Sequence, residues 1–156
     1  MNIFVRALFV LFMVIIFQNV SYADSRLDNC LQYQEQIVAL LESEGLSSDY
    51  FYLAVCESGC KDIESHKGAV GFFQVTRPIY KHYKDDSCGD ADISDIRCNT
   101  IAAARYLKHL KERFKDFHTL IKAYNRGGTN FQRKGSTAEA NGLARCVLQY
   151  VNSSDI

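Results

Sequence analysis

Glu57 is the residue whose type and setting could do chemistry. It closes an apolar approach, Ala54-Val55-Cys56, and is followed at once by a stop, Ser58-Gly59-Cys60. Further along lies Gly68-Ala69-Val70-Gly71-Phe72-Phe73-Gln74, a glycine-spaced aromatic segment ending in an amide. A carboxyl packed against such a wall is poorly solvated, and poor solvation favours its protonated form near neutral pH. A protonated carboxyl at that pH is what a general acid needs to break a glycosidic bond. The alternative use of such a residue is a salt bridge or a helix terminus at the surface.

The elements that must hold Glu57 can be read from local signals. Ser47, Ser48 and Asp49 are N-cap types, Phe51, Leu53, Ala54 and Val55 form an apolar helical run, and Gly59 stands where a helix C-terminal glycine belongs. Glu57 then falls in a last helical turn, where the dipole also disfavours a carboxylate. Before it, Leu27, Leu31, Val38 and Leu41 predict one helix over 26–43. Residues 61–75 read as extended or irregular, and Thr76 and Pro78 open a short helix. Residues 85–95 read as a surface loop. Asn99 is placed to cap a helix bearing Ala103, Leu107 and Leu110, and Asp116 starts another over 117–124. Residues 125–135 read as loop, and Ser136-Thr137-Ala138-Glu139 reads as a capping box opening a last helix. No alternating strand run of useful length occurs. The pattern predicts one mostly helical domain.

Arg6 is the only charge before Asp24, residues 7–17 are almost wholly apolar, and Ser21-Tyr22-Ala23 supplies a small-x-small signal. Residues 1–23 are therefore expected to be a secretory signal peptide and residues 24–156 a single exported domain, periplasmic or secreted. A retained anchor is the weaker alternative, because the apolar run is short for a membrane span. The chain has 6 cysteines, all beyond residue 23. An even count in an exported chain predicts disulfides rather than a zinc site, with a Cys88–Cys98 staple as the first expectation and the other pairings open. With 18 basic and 18 acidic residues and no basic patch, nucleic acid is disfavoured as a partner and a neutral glycan fits. Neither a metal nor a cofactor is expected.

Three blocks, taken in order, resemble the lytic transglycosylases, which share the goose-type lysozyme fold. Glu57-Ser58-Gly59 is similar to the family's catalytic Glu-Ser block. Ser65 followed by Gly68-Ala69-x-Gly71-x-x-Gln74 resembles its cleft-lining segment, and Ala123-Tyr124-Asn125-Arg126-Gly127 its Ala-Tyr-Asn-x-Gly block. The likeness covers residues 37–131, and more loosely extends to Val151. It implies a mainly α, lysozyme-like (goose-type), compact helical domain, with an irregular or small β-like segment at the cleft. It also implies cleavage of the β-1,4 bond between N-acetylmuramic acid (MurNAc) and N-acetylglucosamine (GlcNAc) in peptidoglycan, leaving a 1,6-anhydro end.

On that resemblance Glu57 is the acid and then the base. Ser65 and Tyr124 are candidates to bind the N-acetyl group or to orient Glu57, against a structural bond to backbone. Gln74 and Asn125 could bind sugar hydroxyls or tie loop backbone together. Phe72 and Phe73 present one ring to the sugar and one to the core, or both to the core. Gly71 lets backbone approach the substrate or take positive φ. Tyr150 loosely matches a tyrosine that closes the family's site, against simple packing.

Three departures stand out. Phe73 replaces a usual methionine or tryptophan, Gly128-Thr129 replaces Pro-Gly and loosens that loop, and Cys56 and Cys60 flank the acid unusually closely. No clear second carboxyl appears, since Asp62 and Glu64 read as solvent-facing, and most glycosidases use two. That absence favours transglycosylation over a goose-type lysozyme's hydrolysis or a non-catalytic peptidoglycan-binding role. A small exported enzyme of this kind would suit a secretion, pilus or conjugation assembly, or wall turnover.

Overall fold

A computed structural model describes residues 25–154, so the expected signal segment lies outside the described residues. The chain opens with helix α1 over 25–31, and α2 follows as Gln34–Ser43. One continuous helix over 26–43 was expected; the break at residues 32–33 is the correction. At the break Tyr33 turns edge-on to Phe72, with ring centroids 5.0 Å apart, while Cys30 is tied to Cys60. Aromatic packing and a covalent anchor override the local periodicity there.

Ser47 caps the next segment by accepting from the Asp49 N–H, opening a 3₁₀ turn (Ser48–Tyr50) that runs into α3, Phe51–Ser58. Phe51, Leu53, Ala54 and Val55 are all buried, and Gly59 ends the helix in the left-handed region at φ 62°. The chain then forms a small hairpin, β1 (Ala69–Val70) and β2 (Val75–Thr76), antiparallel with Val70 opposite Val75. Helix α4, Arg77–Tyr83, follows with its proline in the first turn. The polar stretch expected as loop contains a 3₁₀ turn, Asp90–Ser94, which buries Ile93.

The central helix α5, Ile96–Arg113, is buried along most of its length. It packs against α2, α4 and α6 (Phe117–Arg126), while α8 (Ala138–Ser154) packs on both α6 and α3. Residues 125–135 were expected as loop, but Gly128–Lys134 forms α7. Phe131 supplies the reason: it packs perpendicular to Phe114, with centroids 5.5 Å apart, giving this polar helix an apolar anchor. Gly128 is buried, its N–H donates to the Tyr106 hydroxyl at 3.1 Å, and a Cβ there would sit 2.6 Å from Leu110. The absence of a proline at 128 therefore preserves a hydrogen bond and close packing rather than loosening a loop.

Three disulfides staple the domain. Cys88–Cys98 is the expected local pair; Cys56–Cys146 joins α3 to α8, and Cys30–Cys60 joins α1 to the turn after α3. Among the described residues no helix is long and apolar enough to cross a membrane.

Asn99 has a larger role than the expected cap. Asp95 caps α5 by accepting from the Cys98 N–H at 2.9 Å, which puts Asn99 inside the helix and fully buried. Its amide donates to the Val70 and Ile93 carbonyls at 3.0 and 2.7 Å, and its carbonyl accepts from the Phe73 N–H at 3.0 Å. Two backbone groups of the hairpin and one of the 3₁₀ turn before α5 thus depend on one side chain. Asn99→Ala is expected to cost about 2–4 kcal/mol, because it strands buried polar groups. Urea unfolding checks this, and a loss below about 1 kcal/mol would contradict the clamp.

Candidate active site

A cleft of about 390 Å³ opens between the hairpin, α4 and the C-terminal ends of α3 and α6. Glu57 lines it from the last turn of α3, with Ser65, Gln74, Tyr124 and Asn125 among its neighbours. The Ser58 hydroxyl fixes the turn from behind, donating to the Phe72 carbonyl at 2.8 Å and accepting from the Lys61 N–H at 3.3 Å. Helix α3 and the glycine segment are therefore locked together one residue from Glu57. On its other side, Cys56 is bonded to α8.

Glu57 is half-buried on the cleft wall, and its carboxyl has no hydrogen-bond partner among the described residues. Desolvation raises its pKa to about 8, with the Glu139 charge adding to the rise. The group is thus mostly protonated at neutral pH, as an acid catalyst requires.

Glu139 was read as a capping residue and not as part of any site. Thr137 is the actual cap, its hydroxyl accepting from the Ala140 N–H at 3.1 Å, and Glu139 is turned to the cleft. There it pairs with Lys67 at 2.5 Å. Its pKa is lowered, chiefly by the Lys67 hydrogen bond, with help from the Asn125 side chain and His66. The expectation that no second carboxyl reaches the acid is corrected here: one does, from 72 residues away from its lysine. The two carboxyls have opposite environments, one held neutral and one held ionised. Asp62 and Glu64 are exposed as expected, Glu64 pairing with Arg77 at 3.5 Å.

If this pairing sets the acid's pKa, Glu139→Gln should move the alkaline limb of the pH–rate profile to lower pH. Removing a like charge, and freeing the Lys67 cation, both favour ionised Glu57. Desolvation is the larger cause of the rise, so the limb should fall by less than half the distance from about 8 to 4.5. An unmoved limb would show that Glu139 does not act on Glu57.

The other expected residues divide. Ser65 lines the cleft while its hydroxyl oxygen accepts from the Ala69 and Lys67 N–H groups at 3.0 and 3.3 Å, holding the turn before β1. Gln74 also lines the cleft, but its amide N–H₂ ties the Ile63 and Gly71 carbonyls at 3.0 and 2.9 Å. That tie holds a non-glycine residue in the left-handed region at φ 49°. Tyr124 is buried beneath Glu57: its hydroxyl donates to the Phe73 carbonyl at 2.8 Å, and burial and the Glu57 charge both raise its pKa. Asn125 lines the cleft beside Glu139.

Of the two placements open for Phe72 and Phe73, the structure has both rings in the core, 4% and 0% exposed, and neither at the cleft, because Asn99 and Ser58 bind their backbone and turn both rings inward. Gly71 does not line the cleft either; at φ 75° it brings backbone against Asn99, where a Cβ would lie 2.7 Å from the amide nitrogen. Tyr150 stacks on Tyr52, with centroids 5.4 Å apart, away from the cleft lining. Tyr106 and Arg126 line the cleft and were not anticipated as site residues.

The family model described as "Transglycosylase SLT domain" matches residues 37–145, a stretch that includes all three sequence blocks and Glu139. No curated protein matches the chain. With the match spanning most of the chain, and with a helical, disulfide-stapled fold presenting a protonated glutamate in a cleft, the chain belongs to the SLT-domain transglycosylase family.

Proposed function

We propose that the chain is a peptidoglycan lytic transglycosylase that cleaves the MurNAc-β-1,4-GlcNAc bond, with Glu57 acting as acid and then as base. The observation that carries this reading is the Glu57 carboxyl, half-buried in the cleft and raised to about 8. In the first step the Glu57 proton goes to the glycosidic oxygen as the C1–O bond breaks, and the substrate's N-acetyl oxygen stabilises the cation at C1. The Glu57 carboxylate then takes the proton of the C6 hydroxyl as O6 bonds to C1. The leaving sugar keeps the first proton and Glu57 regains one, so no water is consumed. Ring closure is favoured because the attacking hydroxyl is already tethered to the reacting sugar. The substrate would be met outside the cytoplasm, in keeping with an export signal.

Glu139 supports a second reading, hydrolysis by a lysozyme-like mechanism in which it activates a water. Its pairing with Lys67 and its lowered pKa make it a weak base for that purpose. Transglycosylation is therefore the preferred reading. The test is digestion of purified peptidoglycan: anhydro-ended fragments with wild type and none with Glu57→Gln are expected. Glycan binding without any cleavage by the wild type would instead make this a binding protein.

A further inference from the structure

Arg126 occupies the variable position of the Ala-Tyr-Asn-x-Gly block, ends α6 and lines the cleft with Glu57, Asn125 and Glu139. A positive charge suits a helix C-terminus, but that accounts for no hydrogen bond. Among the described residues its guanidinium has neither an ion pair nor a hydrogen bond, and its Nε is buried without a partner. Buried polar groups in folded proteins are normally satisfied, so an orphaned donor at a cleft points to a ligand acceptor. Glu139, the ionised carboxylate that lines the same cleft, is already taken by Lys67. Arg126 thus lines the cleft as a cation with no ion-pair partner among the described residues.

We propose that Arg126 is a specificity residue that binds a carboxylate carried on the lactyl arm of a MurNAc unit. The inference rests on the transglycosylase reading above and adds to it which substrate group is selected. Apart from that arm, the glycan backbone is neutral, so the arm is the only place a bound strand offers an anion. The carboxylate has two sources. It is the lactyl carboxylate itself on a strand stripped of peptide, or an acidic residue of the stem peptide where the lactyl group is amide-linked. A planar guanidinium pairs with either through two parallel N–H···O bonds, which a sugar hydroxyl cannot match.

The test measures affinity in the Glu57→Gln background, so that nothing is cleaved, for three probes. These are a neutral GlcNAc oligomer, a peptide-free MurNAc-GlcNAc oligomer, and the same oligomer bearing stem peptides. Adding Arg126→Gln is expected to weaken an anionic probe roughly tenfold while leaving the neutral oligomer within about twofold. Arg126→Lys, which keeps the charge but not the fork, should fall between. A loss on both anionic probes assigns the lactyl arm region generally. A loss on the peptide-free probe alone assigns the lactyl carboxylate, and a loss on the peptide-bearing probe alone assigns the stem. Equal affinity of parent and variant for all three probes overturns the proposal. So does an equal loss on the neutral oligomer, which would mark a general binding or folding defect. If the parent binds none of the three, the glycan-cleaving reading fails, and this proposal fails with it.

Discussion

Glu57→Gln is expected to abolish peptidoglycan cleavage and, at alkaline pH, to make the protein more stable than wild type. Both effects come from the same environment. The folded protein holds the Glu57 proton up to about pH 8, whereas the unfolded chain releases it near 4.5. Between those values the native state binds a proton that the unfolded state has lost, so wild-type stability falls as pH rises through the window. Glutamine is neutral at every pH and is spared this loss. The gain of the variant over wild type should be small at pH 4, grow through the window and level off above 8. Its upper limit is on the order of 5 kcal/mol, reduced by whatever water reaches the open cleft. Thermal unfolding of both proteins at pH 5, 7 and 9 checks it. A constant difference at all three would mean that Glu57 is not held neutral by the fold.

The second large effect concerns the bond beside the acid. Cys56–Cys146 closes a separation of 90 residues and ties the Glu57 helix to the helix that carries Glu139. Replacing both cysteines with serine should cost about 4–5 kcal/mol by loop entropy. The Cys88–Cys98 staple closes a separation of only 10 residues away from the cleft, and its loss should cost about 2.5–3 kcal/mol. The contrast matters more than either value. Under conditions where both variants remain folded, removing Cys56–Cys146 should cut the rate at least roughly tenfold, since small misplacements of a catalytic group are costly. Removing Cys88–Cys98 should leave the rate within about twofold of wild type, for it anchors the N-terminal end of α5, about two turns before the cleft-lining Tyr106. Equal rates in the two variants would show that the Cys56–Cys146 bond is a stability device alone.

Much of this site was legible because its main parts are local. The capping serine, apolar run, Glu57 and Gly59 lie in one short stretch from Ser47 to Gly59, and their signals agree with the 3₁₀ turn and helix that form. The helical class and the Cys88–Cys98 staple were likewise readable from spacing. What escaped was set by distance along the chain. Glu139 has a local sequence reason to be a cap, while its partner Lys67 lies 72 residues earlier in the chain. Asn99 has the residue type of an N-cap, but the three hydrogen-bond partners of its side chain are backbone groups of two other segments. The aromatic pair was left open between cleft and core for the same reason. Nothing near Phe72 and Phe73 in sequence says that Ser58 and Asn99 will bind their backbone and turn both rings inward. Helix α7 depends on Phe131 meeting Phe114, which polar composition hides.

The discovery of Glu139 also sharpens the choice between the two chemistries. With no second carboxyl, transglycosylation rested on an absence. It now rests on a contrast: Glu57 is neutral and desolvated, while Glu139 is ionised and engaged with a lysine. Digestion of purified peptidoglycan in ¹⁸O-labelled water, read by mass spectrometry, tests that choice most directly. Fragments ending in 1,6-anhydro-MurNAc, each lighter by one water than a reducing end and carrying no label, are the expected result. Labelled reducing-end MurNAc would contradict it and assign Glu139 to the activation of water.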